Sequence, residues 1–380
     1  MALIFWLSVV LIGYTYFLYP AILLLLRKGR RSISLPADSY IPSVTVVVSV
    51  YNEENFLREK LSNMRELEYP RDKITFLFGS DGSNDRTNAI LSAGSMPNMI
   101  LKAFPRRRGK AQVLNDLVAS VESEIIVFSD ANTIFAPDVI LKLARHFADP
   151  VVGAVCGSLI LQSDKRTAGG FGESSYWKYE DAMKRLESQI KTTVSATGGV
   201  YALRRDLFKP LPTSKAVPDD FLLPMNVLRE GKRIVFEPEA LAYEKVSNSV
   251  IGEFQRKVRI GTSAYYSISE LGRLLHPRTG FISFALWSRK LIRWFVPFCL
   301  ILMLLSSMVL SYQSGFFLWT LAFQVLFYLC GFVGFLLERI RLRIGVFGLP
   351  YYFAAMNLAL LIGFVRFLMG WKPFTWEVVR

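Results

Sequence analysis

The sequence contains few of the residues that build disulfide frameworks or thiol and imidazole metal sites. Its 380 residues include three cysteines and two histidines. Cys156, Cys299 and Cys330 are far apart, and two of them lie in apolar runs, which is typical of small buried hydrophobic residues. His146 and His276 have no neighbour at a metal-ligand or catalytic spacing. The sequence therefore argues against a disulfide scaffold and against a zinc site held by cysteine.

Acidic residues are also in the minority, since 31 of them face 45 basic residues and leave a formal net charge of +14. Hydrophobic residues make up 52% of the chain, which is enough for a buried core with apolar residues left for lipid. Four uncharged runs approach or exceed the roughly 20 apolar residues that a bilayer crossing requires. They cover residues 3–26, 294–310, 316–337 and 346–365. We therefore expect an integral membrane protein.

Basic residues cluster beside these runs and indicate the orientation. The first run is followed by Arg27, Lys28, Arg30 and Arg31, the second is preceded by Arg289, Lys290 and Arg293, and the third is followed by Arg339, Arg341 and Arg343. Because basic loops stay in the cytosol, we expect the region between the first two runs to be cytosolic, in a bacterial-type plasma membrane protein. Membrane lipid explains the charge, and no nucleic-acid partner is expected. Four crossings place the tail outside, but Arg366 leaves open a re-entrant last run.

The residues between the first two runs have the character of a soluble α/β domain. We predict strands at residues 44–50, 74–79 and 125–129 and helices at 110–119 and 137–147. Strands that alternate with helices predict a mostly parallel sheet covered on both faces. The expected organisation is an anchor at 1–31, a cytosolic α/β domain at 43–247, an interfacial amphipathic segment at 248–290, three membrane helices at 291–370 and a tail at 371–380.

Polar side chains stand at the ends of the predicted strands. Asn52 and Glu53 follow the first strand, Asp81 the second and Asp130 the third. Each has a structural explanation, because Asn52 can cap the next helix with Glu53 in its first turn, Asp81 can form a turn and Asp130 can cap a helix. Ligands of parallel sheets bind beyond the carboxyl ends of the strands, where these residues meet. Their joint occurrence favours one ligand-binding crevice.

Six segments, in this order, resemble those of the family 2 glycosyltransferases, a group that includes cellulose, chitin, hyaluronan and poly-N-acetylglucosamine synthases. The segments are Val50-Tyr51-Asn52-Glu53-Glu54, Ser80-Asp81-Gly82-Ser83-Asn84-Asp85, Arg108-Gly109-Lys110-Ala111 with Asn115, Ser129-Asp130-Ala131-Asn132, Thr197-Gly198-Gly199 before Arg204-Arg205, and Pro218-Asp219-Asp220. The resemblance implies the α/β fold called GT-A, which binds nucleotide diphosphate sugars, together with α-helical transmembrane segments.

The resemblance also implies donor-side roles for the matching residues. Asn52, Glu53 and Asp81 would contact the donor nucleotide, with Glu53 and Asp81 reading its base, and Lys110 would face the diphosphate. Asp130 would hold a Mg²⁺ or Mn²⁺ ion between the two phosphates. That role is sensible physically, because a hard cation prefers carboxylate and phosphate oxygens.

On the acceptor side, the resemblance makes Asp220 the general base of an inverting transfer. The adjacent carboxylate of Asp219 repels it, which raises a pKa of the pair. Without the resemblance, the two residues are explained equally as the start of a helix after Pro218. Gly198 and Gly199 would let the backbone approach donor or acceptor closely, and the structural alternative is a turn into a strand.

Two segments depart from the family pattern. The aspartate-any-aspartate metal motif reads Asp130-Ala131-Asn132, so metal affinity rests on Asp130. The Gln-any-any-Arg-Trp acceptor motif of the synthases corresponds to residues 255–260, where Arg256 and Arg259 are available but Ile260 replaces the tryptophan. Because that tryptophan would stack on a sugar, we expect transfer of one or a few sugars and no long polymer.

The expected activity is inverting transfer of a hexosyl or N-acetylhexosaminyl group from a nucleotide diphosphate sugar, with a UDP-sugar as the expected donor, to a glycan or lipid-linked acceptor at the membrane. A polyprenyl phosphate acceptor is the alternative among enzymes, and it needs no deprotonated hydroxyl. An inactive membrane subunit of a glycan assembly complex is the alternative outside enzymes. The joint presence of Asp81, Asp130 and Asp220 argues against this last hypothesis.

Overall fold

A computed structural model describes residues 1–28, 39–162, 168–214, 218–245, 250–340, 342 and 344–371. The side chains of residues 168–174 and 250–253 are also outside this description. Four of the basic residues that flank the apolar runs, Arg30, Arg31, Arg341 and Arg343, lie outside the described residues, as do residues 372–380 of the tail.

The described residues form one mixed sheet of eight strands. The strands are β1 Val44–Val50, β2 Ile74–Asp81, β3 Met99–Phe104, β4 Ile125–Ser129, β5 Thr133–Phe135, β6 Val152–Gln162, β7 Tyr201–Arg204 and β8 Arg233–Lys245. Their order across the sheet is β3-β2-β1-β4-β7-β6-β8-β5. The first four are parallel, β7 is antiparallel to β4 and β6, and β8 is parallel to β6 and antiparallel to β5.

Helices cover both faces of this sheet. The helices of the described chain are α1 Ala2–Arg27, α2 Leu57–Arg65, α3 Thr87–Ala93, α4 Lys110–Val118, α5 Val139–Ala144, α6 Ala168–Ile190, α7 Asp219–Arg229, α8 Val250–Leu271, α9 Phe281–Leu310, α10 Gly315–Arg339 and α11 Gly345–Leu368. Among them, α2, α3 and α5 pack on one face of the sheet, and α4 and α7 pack on the other. In β1 the alternate residues Val46 and Val48 pack on the face of α2, whereas Val47 packs on the face of α4. A strand buried on both faces needs a continuous apolar run, which explains the composition of β1.

The sequence predictions hold best for the parallel half. The strands at 44–50 and 125–129 are confirmed, and the second strand extends two residues further, to Asp81. The helix expected at 137–147 is shorter, because α5 gives way to a 3₁₀ turn at Arg145–Ala148. A mostly parallel sheet was expected, but the half built from β5 to β8 is mixed. Strand direction depends there on partners distant in the chain, which a local pattern does not identify.

The helix after β1 corrects two local predictions. α2 begins at Leu57, so Asn52 does not cap it and Glu53 is not in its first turn. Asn52 instead has a left-handed backbone, with φ of 53°. The backbone carbonyl of Glu53 accepts hydrogen bonds from the amides of Phe56 and Leu57, at 3.0 and 3.2 Å. A turn thus separates the strand from the helix.

Four of the described helices, α1, α9, α10 and α11, are long and apolar enough to cross a membrane. Each extends beyond the run expected from the sequence, and α9 begins as early as Phe281. Close contact joins α11 to α8, since a Cβ atom on Gly363 would lie 2.7 Å from the backbone nitrogen of Thr262. Packing of α8 against α11 places the predicted interfacial segment beside an apolar helix. Its position at the bilayer surface stays a prediction.

Buried ion pairs connect α6 to α9. The carboxylate of Glu180 lies 2.8 Å from Arg289 and 2.5 Å from Arg293, and that of Glu187 lies 2.6 Å from Arg289. The hydroxyl of Tyr19 in α1 also donates to Glu187, at 2.7 Å. Burial raises the pKa of Glu180, but the charges of Arg293 and Arg289 outweigh it and hold that pKa well below its usual range. Because breaking such pairs leaves a buried charge uncompensated, they fix the α/β domain against the apolar helices.

Candidate active site

The parallel register brings the polar strand ends together. Val50 pairs with Ser80 across β1 and β2, and Val48 pairs with Ser129 across β1 and β4. The segments that follow these strands therefore emerge side by side at one edge. A cleft there is lined by residues of β1, α4, β4, β7 and α7. The lining residues are Val47, Lys110, Leu114, Phe128, Ser129, Asp130, Gly199, Tyr201 and Asp219.

Asn52 and Glu53 lie in the turn that follows β1. The amide of Asn52 donates to Asn84 Oδ1 at 2.8 Å, and Asn52 Oδ1 accepts from the backbone nitrogen of Asn84 at 3.0 Å. The backbone nitrogen of Glu53 donates to Thr87 Oγ1 at 2.9 Å. These bonds join the turn after β1 to the turn after β2. The two segments that resemble the family motifs therefore behave as one rigid unit.

Asp81 holds the loop that precedes α4. Its two carboxylate oxygens accept hydrogen bonds from the backbone nitrogens of Arg108 and Gly109, at 2.6 and 2.9 Å. The loop also lies against Gly82, where a Cβ atom would come within 2.6 Å of the backbone nitrogen of Arg107. Asp81 thus has a structural role in addition to the base-reading role that the resemblance implies, and that second role stays a prediction.

The same loop presents Arg107, which the sequence did not single out from a run of three arginines. The guanidinium of Arg107 stacks 3.8 Å from the centre of the Tyr51 ring. Its Nε and Nη2 atoms are buried and have no hydrogen-bond partner among the residues that the structure describes. Buried donors of a charged group are costly to leave unpaired, so this pair has unused capacity for an anionic or carbonyl oxygen. No spacing in the sequence brings Tyr51 and Arg107 together, because the contact depends on the loop held by Asp81.

Lys110 joins two carboxylates across the crevice. Its Nζ atom lies 2.9 Å from Asp130 Oδ1 and 3.1 Å from Asp219 Oδ1. Burial lowers the pKa of Lys110, but the two carboxylates outweigh it and raise that pKa above its usual value. Burial raises the pKa of Asp130, but Lys110 and Lys60 outweigh it and leave that pKa lowered. Asp130 and Lys110 are therefore both ionised at neutral pH.

A buried lysine that sequence reasoning missed lies beneath this cluster. Lys60 in α2 is inaccessible to solvent, and its Nζ atom donates to Ser129 Oγ at 2.7 Å and to the Thr133 carbonyl at 2.5 Å. It also lies 4.5 Å from the centre of the Phe135 ring. Burial lowers the pKa of Lys60 to about 7, although Asp130 opposes that shift. The lysine fixes both ends of the turn that carries Asp130.

The side chains around Asp130 suit a divalent metal that is held mainly by the phosphate oxygens of a bound molecule. Among the described residues, no three carboxylate, imidazole or thiol groups gather where one ion could bind them. Asn132, which replaces the second aspartate, donates its amide to Glu244 at 3.1 Å. Thr133 Oγ1 is buried without a hydrogen-bond partner in the described part of the chain. One carboxylate with phosphate oxygens is a common arrangement for hard cations, so the residues fit a metal that binds together with a diphosphate.

Asp220 differs from its neighbour Asp219, although both begin α7. Asp219 pairs with Lys110 and accepts a hydrogen bond from the Tyr201 hydroxyl at 2.8 Å. The side chain of Asp220 has no hydrogen bond or ion pair to the described part of the chain. Burial and the charge of Asp219 raise the pKa of Asp220 to about 7. A carboxylate in this state accepts a proton near neutral pH, as a general base must.

The paired glycines make room for these groups. A Cβ atom on Gly198 would lie 2.9 Å from Asp220 Oδ2. Gly199 has a φ of 81°, and a Cβ atom there would lie 2.7 Å from Thr133 Oγ1 and 3.5 Å from Asp130 Oδ2. Both positions therefore exclude larger residues for spatial reasons. The glycines bring Asp130 and Asp220 to opposite sides of one backbone turn.

The basic residues of α8 lie on the remaining side. The charge of Arg256 contributes to the lowered pKa of Asp130, so this arginine faces the cluster. Arg259 is half-buried. Ile260, at the position of the tryptophan in the synthase motif, is 47% exposed. Contact of Arg256 and Arg259 with an acceptor stays a prediction.

Comparison with known proteins agrees with this architecture. Residues 45–211 match the family model described as glycosyl transferase family 2. The poly-beta-1,6-N-acetyl-D-glucosamine synthase of Staphylococcus aureus (strain MSSA476) is 24% identical over 261 residues, which are 66% of this chain and 60% of that protein. The synthase of the same name from Staphylococcus epidermidis is 23% identical over 239 residues, 61% of this chain and 57% of that protein. The chain thus spans about 60% of the length of these relatives.

A solved structure shares the fold over nearly the whole chain. The mannosyltransferase PcManGT from Pyrobaculum calidifontis, determined in complex with GDP-Man and Mn²⁺, superposes with a TM-score of 0.77 over 97% of this chain and 99% of that chain. The sequence identity is 21%. This likeness establishes the fold as a GT-A domain combined with long apolar helices.

Proposed function

We propose that this chain, which carries a family 2 glycosyltransferase domain over residues 45–211, is an inverting glycosyltransferase that works at a membrane surface. The observation that carries the proposal is the contrast between two adjacent carboxylates. Asp219 is neutralised by Lys110, whereas Asp220 lacks a partner among the described residues and has a pKa raised to about 7. One crevice therefore combines a cationic donor side with a free base.

The donor is a nucleotide diphosphate sugar bound along the ends of β1, β2 and β4. Tyr51 offers an aromatic face for the base, and the unpaired donors of Arg107 offer hydrogen bonds to it or to a phosphate. Lys110 lies at the diphosphate. The solved mannosyltransferase binds GDP-Man, and the synthases are named for N-acetylglucosamine polymers, so guanosine and uridine donors are both candidates.

A divalent cation, Mg²⁺ or Mn²⁺, fits beside Asp130. Asp130 would hold it together with the donor phosphates, and it would supply positive charge to the departing diphosphate. The Mn²⁺ of the mannosyltransferase complex supports this assignment. Lys60 fixes the turn that presents Asp130, by its bonds to Ser129 and Thr133.

Transfer follows from the position of Asp220. The acceptor hydroxyl gives its proton to the Asp220 carboxylate while its oxygen bonds to the anomeric carbon of the sugar. The bond between that carbon and the diphosphate oxygen breaks, and the nucleoside diphosphate leaves. Attack from the side opposite the leaving group inverts the configuration of the anomeric carbon. Lys110 keeps its positive charge beside the negative charge that develops on the diphosphate.

Nucleotide release from purified full-length protein tests the proposal. The protein in neutral detergent is incubated with UDP-N-acetylglucosamine, UDP-glucose or GDP-mannose and Mn²⁺, and the nucleoside diphosphate produced is measured with Asp220→Asn as the control. We expect turnover with at least one donor and a strongly reduced rate in the variant. Absence of turnover with every donor, from a protein that still melts cooperatively, would favour the inactive assembly subunit. Full activity in Asp220→Asn would favour a phosphate acceptor that needs no base.

A further inference from the structure

The start of α9 holds one more positive charge than its carboxylate partners neutralise. Arg289, Lys290 and Arg293 lie within five residues. Arg289 and Arg293 turn towards α6, where Glu180 and Glu187 pair with them. In this cluster three basic residues face two carboxylates, and Lys290 is the basic residue that has no ion pair to a described residue.

Lys290 makes no ion pair with the carboxylates of α6. Its side chain is half-buried, and its Nζ atom lies 6.0 Å from the centre of the Phe221 ring, at the start of α7. No hydrogen bond or ion pair joins it to any residue that the structure describes. The backbone around it is π-helical over Leu286–Leu291, a distortion that often marks functional positions in helices.

Asp220, the residue before Phe221, does not neutralise Lys290. The ammonium charge lowers the pKa of Asp220 only as the smallest of several influences, and that pKa remains raised to about 7. A direct ion pair would instead hold it below its usual value. The lysine therefore lies near the residue that follows Asp220, at 6.0 Å from the Phe221 ring, and does not pair with the carboxylate of Asp220. A half-buried charge in that position gains free energy from an incoming anion.

The surroundings of Lys290 are apolar. The rings of Phe221 and Trp294 pack edge to face with centres 5.9 Å apart, and Leu286 and Leu291 belong to the same buried cluster. Just beyond them, α9 becomes an apolar helix long enough to enter a bilayer. A ligand that combines an anionic head with a hydrocarbon tail matches both halves of this environment, whereas a free sugar matches neither.

We propose that Lys290 binds the phosphate of an acceptor whose glycan is joined to a lipid through a phosphate ester or diphosphate. This inference rests on the proposed glycosyltransferase function and names its acceptor class. The lipid tail would follow α9, and the hydroxyl that receives the sugar would face Asp220. Lysine suits this role because its ammonium is a compact charge that contacts phosphate in many orientations.

Binding of geranylgeranyl phosphate and of geranylgeraniol, which share one tail, tests the proposal. Each radiolabelled probe is bound to the immobilised full-length protein in neutral detergent. We expect the wild type to prefer the phosphate by about tenfold or more, the usual scale of a hydrogen bond to a charged group. Lys290→Gln should bind both probes nearly alike, and Lys290→Arg, which keeps the charge, should retain most of the preference.

Lys28→Gln is the matched control, since Lys28 is an exposed cation directly after α1, another helix long and apolar enough to cross a membrane. The phosphate preference of Lys28→Gln should equal that of the wild type. If Lys28→Gln lost as much of the preference as Lys290→Gln, the effect would be a general attraction of anions to basic residues, and Lys290 would not be a specific site. Competition by phosphatidylglycerol at the same concentration as geranylgeranyl phosphate would assign the site to bulk headgroups and overturn the acceptor role. Equal preference in Lys290→Gln and wild type would also overturn it. Donor turnover, measured separately, decides the glycosyltransferase function itself.

Discussion

The two sides of the crevice differ in how their charges are arranged. On the donor side, Asp81 is fixed by two backbone amides and Lys110 lies between two carboxylates. On the membrane side, the carboxylate of Asp220 and the ammonium of Lys290 lack partners among the residues described. Fixed partners favour a site that is organised before its ligand arrives. In our proposals, the two groups without partners are completed by the acceptor, whose hydroxyl binds at Asp220 and whose anionic lipid carrier binds at Lys290.

The contrast between the two sides of the crevice would be lost if Asp220 were not the general base. Asp220→Asn removes proton acceptance but keeps size, so we expect donor binding nearly unchanged and transfer reduced by roughly 10²-fold or more. Donor affinity is measured by calorimetry and transfer by release of nucleoside diphosphate. Asp219→Asn is a useful companion, because it breaks the ion pair with Lys110 and should weaken donor binding as well. If Asp220→Asn kept most of the wild-type rate, Asp220 would have no role as the base.

The pH dependence sharpens the same point with a smaller effect. Because the pKa of Asp220 is raised to about 7, the base is protonated as pH falls through that value and regains its charge as pH rises. The rate constant kcat/KM for the acceptor should therefore fall by about tenfold per pH unit below it. The measurement is a profile from pH 5 to 9 at saturating donor. A wild-type kcat/KM that does not change with pH would contradict the role of Asp220 as the base. Asp220→Glu should show the fall in kcat/KM at low pH, and Asp220→Asn should not.

The difference between the two sides also explains what the sequence can predict. Asp81 and Asp130, which we propose lie on the donor side, stand at the ends of apolar strands, so the strand pattern alone is enough to place them at one edge of the sheet. Lys60 reads as an ordinary helix residue, and its burial beneath Asp130 depends on how α2 packs on the sheet. Lys290 reads as one of several membrane-flanking cations. Its separation from Arg289 and Arg293 depends on the partners in α6, which the chain reaches about a hundred residues earlier.

Arg107 tests whether the donor side is as well organised as its other contacts suggest. Arg107→Gln removes the stack on Tyr51 and the charged donors that lack a partner. We expect donor affinity to fall by about five- to tenfold while kcat is nearly kept, because the contact is made equally in ground and transition states. Initial rates at varied donor concentration give both constants. Arg106→Gln, in the exposed neighbouring position, is the control and should behave like the wild type.

The smallest expected effect concerns how the acceptor is held. A processive synthase must retain the growing chain after each transfer, and an aromatic face provides such a hold. Here the position of the family tryptophan carries Ile260, which is 47% exposed. Two other tryptophans are already engaged, since Trp294 packs on Phe221 and the Trp287 indole donates to the Leu275 carbonyl at 3.1 Å.

We therefore expect one or a few sugars per acceptor when product length is sized with labelled donor. Ile260→Trp should raise acceptor affinity by no more than about fivefold, because stacking at a partly exposed site contributes roughly 1 kcal/mol at most. Its products should stay short, since a ring alone does not supply the missing glutamine spacing of the synthase motif. Long polymer from the wild type at a low ratio of donor to enzyme would contradict this prediction. The growing chain would then be retained without an aromatic residue at position 260, and the Lys290 site would be the candidate for that retention.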